Sequence, residues 1–575
     1  MSGAVESSSW SLAVNERAST GLLDVRQGSP ASTDEIMAPM QTVPARRGTQ
    51  AAGWSKRRTL ASVVIAVIAL AAGCAAMRFD APRPPSHAID DPLQTALGRS
   101  FAAPLSASPG MSGFRLLHSG QEAFVARAAL AEAAQRTLDL QYYAVAEDAT
   151  STLLLYRVLV AAQRGVRVRL LIDDLDVGDR DSHLATLAAH PNVQLRVFNP
   201  FRWRGAASLA RMLDYLTDAM RLNRRMHNKL WIADNAAALI GGRNLSDAYF
   251  NADPQRNFAD LDVLVAGPVV VEASRSFDEY WNSEWAVPIQ AFTGPTFEPV
   301  HSERLMADLA ERAAAFHETD YVRELLASGF GPLVRSGTVE LTVANAIVLH
   351  DPPAKRPAAS HEQEGPVVVR LRRAVEAAQS ELMLISPYFV PPERGVQTLC
   401  ELASRGVRVR LLTNSLASTD VAVVHAGYAR YRPRLLACGV VLHELKPAAP
   451  GPVRARRSLA SGVSLHAKAI VVDRTSVLIG SMNLDPRSRL TNTEVAVLID
   501  SAPLAGELAQ WFDDATSLDR SFKPELGSPG NRDAALTWIS HENGEARRHV
   551  NEPGTSWWRR VSTRVLGALV PEELL

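Results

Sequence analysis

The sequence predicts an α/β fold made of two duplicated α/β/α sandwich domains that share one site at a pseudo-two-fold interface. Three observations carry this expectation. Landmarks recur in one order: "EAAQRTLDL" (Glu132–Leu140) returns as "EAAQSELML" (Glu376–Leu384) at an offset of 244, and "RGVRVRLL" (Arg164–Leu171) returns at Arg405–Leu412 at an offset of 241. "MHNKLWIADNAAALIGGRN" (Met226–Asn244) and "LHAKAIVVDRTSVLIGSMN" (Leu465–Asn483) share a spacing, with their histidines 239 residues apart. A nearly constant offset over ordered landmarks marks an internal duplication. Finally, each copy alternates helical and strand patterns, which implies βαβ units, a largely parallel sheet flanked by helices, and a site outside the strand ends.

The chain has 575 residues, 47% of them apolar, enough for a sizeable core and for two to four domains. Lys plus Arg equals Asp plus Glu at 61 each, so there is no basic footprint of the kind nucleic acid requires, and no nucleic-acid partner is expected. Nothing in the sequence names a protein partner. Three cysteines, Cys74, Cys400 and Cys438, make no disulfide framework and match no zinc spacing. Cys400 and Cys438 sit in apolar helical contexts and are expected only to pack.

Taken in order, residues 1–58 are rich in Ser, Ala, Gly and Thr and are expected to be disordered. Thr59–Met77 is an uncharged run behind the basic flank Lys56, Arg57 and Arg58. It is just long enough to cross a bilayer, and the flank predicts a cytoplasmic N-terminal side with the bulk of the chain outside. The same stretch also reads as a signal peptide, with "LAAGC" as a lipoprotein box and Cys74 as its lipidated residue. A start at Met37 or Met40 would shorten the long lead. Either way the chain is expected to be held at a bacterial cell membrane, with its other domains on the periplasmic side. Residues 78–110 read as a linker, irregular at the Pro-rich "APRPPSHAIDDP" (Ala81–Pro92).

In the first domain, 111–290, a helix at 121–136 leads into a strand at 138–144. A helix at 151–164 leads into the strand "VRVRLLI", and a further helix precedes the short strand "VQLRVFNP". The second domain, 366–520, repeats the order, with helices at 366–380 and 394–405, strands at 382–389 and "VRVRLLT", and then "VVLHELKP". Between them, 291–365 holds a helical stretch at 303–328, the strand-like "TVELTVANAIVLHD" and the loop "DPPAKRPAA". The tail, 521–575, ends in "TSWWRRVSTRVLGALVPEELL". Its Trp557, Trp558, Arg559, Arg560 and Arg564 fit a membrane-interfacial helix and equally fit an amphipathic helix docked on the core.

The repeated stretch carries the chemistry. On a strand, side chains two apart share a face, so His227 joins Lys229 and His466 joins Lys468. Asp234 and Asp473 fall seven residues past their histidines, on the other face and beside a turn, and are expected to be structural. The Gly-Gly and Gly-Ser pairs let backbone approach a ligand closely. Asn244 and Asn483 follow them. Two lysines and two asparagines suit a phosphate-like anion. Two histidines supply a nucleophile and a proton shuttle. No nearby side chains have metal spacing, so the expected reaction is phosphodiester transfer without metal or cofactor. Half a site has only one histidine, which explains the duplication. Carboxylates should orient the imidazoles. By order along the chain, Asp260 ("NFADLDVLV") is assigned to His227 and Glu494 ("TNTEVAVLI") to His466. "QYY" (Gln141–Tyr143) and "SPYFVP" (Ser386–Pro391) end corresponding strands and either line the cleft or pack. A lone histidine on an apolar strand is usually a satisfied core residue; two complete copies, each followed by a carboxylate, overturn that reading.

These motifs resemble the phospholipase D superfamily, defined by two such HKD motifs, over about 111–520. "RLNRRMHNK", "GGRNLSDAYF", "DLDVLVAGPVV" and "GSMNLDPRSRLTNTE" make the chain similar to bacterial cardiolipin synthases of the C type. The resemblance implies two phospholipase D-like domains and phosphatidyl transfer through a phosphatidyl-histidine. It also implies phosphatidylethanolamine or phosphatidylglycerol as donor, phosphatidylglycerol as acceptor, and His227 as the nucleophile. The long N-terminal lead departs from the family. Two other readings stand beside this one. A hydrolase with the same site would be a phospholipase, or less readily a nuclease. A membrane scaffold without activity is disfavoured by two intact motifs.

Overall fold

The structure, a computed structural model, describes residues 81–572 apart from 177–180, 203–207, 254, 293–299, 356–363, 448–462 and 528–535. The expected disordered lead, the apolar run 59–77 and Cys74 lie outside the described residues. Among the described residues no helix is long and apolar enough to cross a membrane.

The first copy supplies β1 (Ser112–Leu117), β2 (Thr137–Tyr142), β3 (Arg167–Asp173), β4 (Val193–Phe198), β5 (Leu230–Ala233), β6 (Ala237–Gly241), β7 (Asn257–Ala259), β8 (Asp262–Ala266) and β9 (Ala286–Pro288). All but β7 pair in the order β1-β8-β6-β5-β2-β3-β4-β9. The second copy supplies β10 (Thr342–His350), β11 (Glu381–Ile385), β12 (Arg408–Asn414), β13 (Val441–Leu445), β14 (Val463–Leu465), β15 (Ala469–Val472), β16 (Ser476–Gly480), β17 (Val495–Asp500) and β18 (Ser521–Glu525). Without β14, these pair in the same order, β10-β17-β16-β15-β11-β12-β13-β18. The N-terminal half of β10 also pairs with β1, so one long strand joins the two sheets. The segment between the copies is therefore part of both.

The sheets are mixed, which corrects the expectation of a largely parallel one. Only β2-β3-β4 and β11-β12-β13 run parallel. The βαβ pattern that gave the expectation covers just those strands; the motif hairpin and its return strand are antiparallel additions on one side. Helices Gly120–Ala133 and Ala149–Gln163 cover the outer face of the first sheet, and Pro366–Glu376 and Glu393–Ser404 that of the second. The inner faces share one core. Ile232 and Ile240 of the first hairpin and Val471 and Ile479 of the second lie in it, with helices Pro268–Trp281 and Ala502–Ala515. Burying one continuous apolar layer between the copies holds their motif strands together.

Each motif hairpin turns through two residues of positive φ, Asp234 (53°) with Asn235 (49°) and Asp473 (50°) with Arg474 (54°). That is the turn whose twist matches antiparallel strands. The aspartate does a second job. Asp234 accepts the backbone N–H groups of Gln135, Arg136 and Thr137, and Asp473 those of Gln379, Ser380 and Glu381. Each thereby ties the hairpin turn to the start of the neighbouring strand, far from the histidine end.

Three peripheral features differ from expectation or extend it. Cys400 and Cys438 form a disulfide rather than merely packing. Their helices flank β12 and β13 and bring the Cα atoms to 5.3 Å, inside disulfide range. Within the expected linker, Ala81–Asp91 is irregular but strapped to the first sheet, with Arg196 donating to the Pro84 carbonyl and Arg169 to that of Ser86. Ala96–Ala102 of the same stretch is a helix, N-capped by Thr95. The terminal helix Trp557–Leu569 docks on helix Ala422–Ala437, where Gly567 meets Ala426 so closely that a Cβ would lie 2.4 Å from it. Its outward residues Trp558 and Leu569 stay exposed at 71% and 73%, so docking and an apolar outer face coexist.

Candidate active site

His227 and Lys229 do not lie within a strand, as the alternation argument supposed. They occupy the extended approach to β5, and His466 and Lys468 occupy the approach to β15. Each approach is held twice. The C-terminal end of the central parallel strand clamps the residue before the histidine: Asp173 accepts the Met226 N–H at 2.8 Å, and Asn414 accepts the Leu465 N–H at 2.8 Å while donating to its carbonyl. The other copy then supplies a short parallel pairing. His227 N–H donates to the Thr493 carbonyl and Thr493 N–H to that of Arg225; His466 N–H donates to the Ala259 carbonyl at the end of the β7–β14 pair.

This crossing decides which carboxylate orients which histidine. Thr493 and Ala259 immediately precede Glu494 and Asp260. Glu494 Oε2 lies 3.0 Å from His227 Nδ1, and Asp260 Oδ2 lies 2.6 Å from His466 Nδ1. The assignment of Asp260 to His227 and Glu494 to His466 is thus reversed: each histidine takes its carboxylate from the opposite copy. Burial would push both carboxyls up, but in each case the paired imidazole and the neighbouring lysine outweigh it and hold the group below the usual range. Charged acceptors at Nδ1 place the proton there and leave Nε2 as the reactive nitrogen. Lys468 Nζ is also 2.9 Å from His466 Nδ1, but a protonated Nδ1 cannot accept from it, and the shorter contact to Asp260 prevails.

The glycines that follow let the strands carrying these carboxylates pack close. A Cβ on Gly242 would sit 2.2 Å from Asp260 Oδ1, and one on Gly480 would sit 2.3 Å from the Val495 carbonyl. Where the first copy has Gly242 beside the short Asp260, the second has Ser481, whose hydroxyl donates to the longer Glu494. Arg243, fully buried, donates to the Asp260 carbonyl and fixes that strand end.

Burial lowers both lysines, Lys229 to about 7, with the charge of Lys468 adding to its shift, and Lys468 to about 8 against the pull of Asp260 and Glu494. Burial also lowers His227 to about 4 and depresses His466, so both imidazoles are neutral near pH 7. The charge of Lys468 bears on both Lys229 and His227, which places the two motifs in one site. Asn244 and Asn483 are buried, and among the described residues the Asn483 side-chain oxygen has no partner.

Aromatic rings break the pseudo-symmetry. Tyr143, from "QYY", stands edge-on to His227 at 5.0 Å and lies under Lys229 at 5.2 Å. Tyr249 and Phe258 flank His466 at 5.0 and 5.1 Å. The Tyr249 hydroxyl accepts from the Asn244 amide at 3.1 Å and stands 3.5 Å from His466 Nε2. In the second copy Tyr388 donates to Asp420, whose charge bears on His466. Tyr249, Phe258 and Asp420 were not singled out from sequence; Tyr249 aligns with Ser488 in the repeat, so nothing in the duplication marks it. Among the described residues no group of three or more His, Cys, Asp or Glu is arranged to hold a metal ion.

The chain matches the family model described as cardiolipin synthase, PLD-like domain, at residues 128–282 and 371–516. It is 40% identical to cardiolipin synthase C of Escherichia coli (strain K12) over 82% of this chain and 98% of that protein. An uncharacterized Helicobacter pylori protein is 33% identical over 75% of this chain and 85% of its own length. Cardiolipin synthase A of Pseudomonas entomophila (strain L48) is 24% identical over 70% of this chain and 69% of its own.

Proposed function

Because the chain belongs to the family of cardiolipin synthases with PLD-like domains, and is a phosphatidyltransferase of that superfamily, we propose that it makes cardiolipin by joining two phospholipids. The phosphatidyl donor is phosphatidylethanolamine or phosphatidylglycerol and the acceptor is phosphatidylglycerol. The observation that carries this reading is the pair of neutral imidazoles, each with Nδ1 on a carboxylate of the opposite copy, which leaves Nε2 as the reactive nitrogen of each ring.

His227 Nε2 attacks phosphorus and the bond from phosphorus to the headgroup oxygen breaks. His466, which takes up a proton when the anionic diester binds beside it, gives that proton to the departing alcohol. The acceptor's primary hydroxyl then loses its proton to His466 and attacks the phosphatidyl-histidine, restoring His227. Lys229, Lys468, Asn244 and Asn483 hold the phosphorus oxygens as charge builds there, an arrangement in which each donor contributes about 10²–10³ in rate. The Tyr249 hydroxyl beside His466 Nε2 supports that ring as the proton shuttle, which leaves His227 as the nucleophile. The described domains are assigned to the outer side of the membrane, a placement supported by the Cys400–Cys438 disulfide, since such bonds persist in oxidising compartments.

Purified protein given labelled phosphatidylethanolamine and phosphatidylglycerol is expected to yield cardiolipin with release of ethanolamine or glycerol. Phosphatidic acid alone would establish a phospholipase instead, and no turnover of lipid would overturn both. The pH profile follows from the buried site. In kcat/KM, which reports the free enzyme, activity should fall on the acid side as His227 protonates toward about 4, and on the alkaline side first as the depressed His466 loses the proton the leaving alcohol needs and then as the lysines discharge between about 7 and 8. A bound phosphodiester raises both lysines, so the alkaline limb of kcat should lie higher. An alkaline limb at the same pH in both profiles would show that the lysines do not meet the substrate.

A further inference from the structure

The rings around His466 form one wall of the site, and that wall ends in a carboxylate that the phosphoryl steps leave unused. Phe258 flanks His466 at 5.1 Å, and the Arg256 guanidinium lies over the Phe258 ring at 5.3 Å. Arg256 Nη2 reaches across to Asp420 Oδ2 of the second copy at 3.5 Å, and the Tyr388 hydroxyl donates to the same oxygen at 2.8 Å. Asp420 follows β12 in the loop before helix Ala422–Ala437, beyond the C-terminal end of a parallel strand, where such sheets place their ligands. Its charge bears on His466, Lys468 and Tyr249, so it stands within the field of the motif residues. The Asp420 side chain is only 16% exposed, and among the described residues no hydrogen bond reaches its Oδ1. A carboxylate this buried calls for a cation. Arg256 meets that need only in part, because its side chain is 55% exposed and an exposed pair at this distance is weak. The wall is built in one copy alone. The bridges Val145–Leu245 and Phe389–Leu484 correspond, so Tyr388 stands where the first copy has Ala144.

We propose that Asp420 binds the ammonium of an ethanolamine headgroup and so selects phosphatidylethanolamine over phosphatidylglycerol as the donor. The assignment rests on the phosphatidyltransferase reading. The departing oxygen takes its proton from His466, so the headgroup lies on the His466 side of the phosphorus, where the wall of Phe258, Arg256 and Asp420 stands. Ethanolamine carries its ammonium two carbons beyond that oxygen. The ammonium donates to Asp420 Oδ1 while the Tyr388 hydroxyl holds Oδ2 in place. The glycerol headgroup of phosphatidylglycerol puts hydroxyls there instead. A hydroxyl forms a hydrogen bond with the carboxylate but leaves its charge unpaired, so the mostly buried Asp420 favours the cation.

The test gives the enzyme equal amounts of phosphatidylethanolamine and phosphatidylglycerol and reads the ratio of ethanolamine to glycerol released, which is the ratio of kcat/KM for the two donors. Unaltered enzyme should release ethanolamine in excess. Asp420→Asn keeps the shape and removes the charge, and should lower the ratio by about tenfold or more. Any effect of that charge on His466 moves both donors together and cancels in the ratio. Tyr388→Phe, which deprives the carboxylate of the hydroxyl that holds it, should lower the ratio by less, and it reads the site if Asp420→Asn makes too little product. Arg256→Gln removes a competing cation and should leave the ratio level or raise it. If Asp420 only clamped the two copies through Arg256, Asp420→Asn and Arg256→Gln would reduce release of both headgroups alike. That result, a ratio unchanged in Asp420→Asn and Tyr388→Phe, or no excess of ethanolamine from the unaltered enzyme overturns the ammonium site alone. Unaltered enzyme that releases neither headgroup overturns the phosphatidyltransferase reading with it.

Discussion

Alanine at His227 or at His466 is expected to lower transfer by about four orders of magnitude or more, and the double variant by no more than either single one. The reason lies in how the two copies divide one reaction. Without His227 no covalent phosphorus–nitrogen bond forms and the acceptor would have to displace the headgroup directly. Without His466 the departing alkoxide has no proton and the incoming alcohol no base. Neither loss can be made good by the surviving imidazole, because each is tied at Nδ1 to a carboxylate and presents one nitrogen only. Neither change disturbs the shared core, since the histidines lie on the approaches to β5 and β15 and not within the apolar layer. Cardiolipin formation measured on both variants decides the matter. Activity within about tenfold of the unaltered enzyme in either would falsify a single site built from both copies.

Much of this site is legible in the sequence, and its gaps have physical causes. The spacing of His227, Lys229 and Asn244 against His466, Lys468 and Asn483 reveals the duplication because a repeated fold repeats its strand lengths. Asp234 and Asp473 can be set aside from spacing alone, and both hold hairpin turns. What a linear reading cannot see is exchange between copies. Asp260 follows the first motif and Glu494 the second, so proximity in sequence suggests each serves its own histidine. The pairings of Met226 with Thr493 and of β7 with β14 run between the copies and carry each carboxylate to the other side. A related blindness hides the disulfide: Cys400 and Cys438 meet because two helices pack on neighbouring strands, which no spacing rule encodes. The parallel-sheet expectation fails for a simpler reason, in that hairpin strands carry the same apolar alternation as parallel ones.

The exchange of carboxylates also separates the roles of the two histidines, and an activated substrate makes the separation measurable. A phosphodiester with a p-nitrophenolate leaving group departs without a proton, so the first step then needs the nucleophile but not the general acid. Asp260→Asn disables the shuttle by upsetting His466. With this substrate it should still release about one equivalent of p-nitrophenol in a burst and then stall, leaving a phosphorylated His227. Glu494→Gln upsets His227 itself. It should show no burst and form the covalent species slowly, by about 10²–10⁴-fold on the precedent of an orienting carboxylate replaced by its amide. With lipid substrates, whose leaving alcohols need the proton, both variants should be slow and the difference should vanish. Had each carboxylate served the histidine of its own copy, the two variants would exchange behaviour, with Asp260→Asn losing the burst. That pattern would equally arise if His466 were the nucleophile, so the trapped adduct must be located as well. Phosphate on His227 in Asp260→Asn fixes both the crossing and the roles. Phosphate on His466 in Glu494→Gln keeps the crossing and reverses the roles.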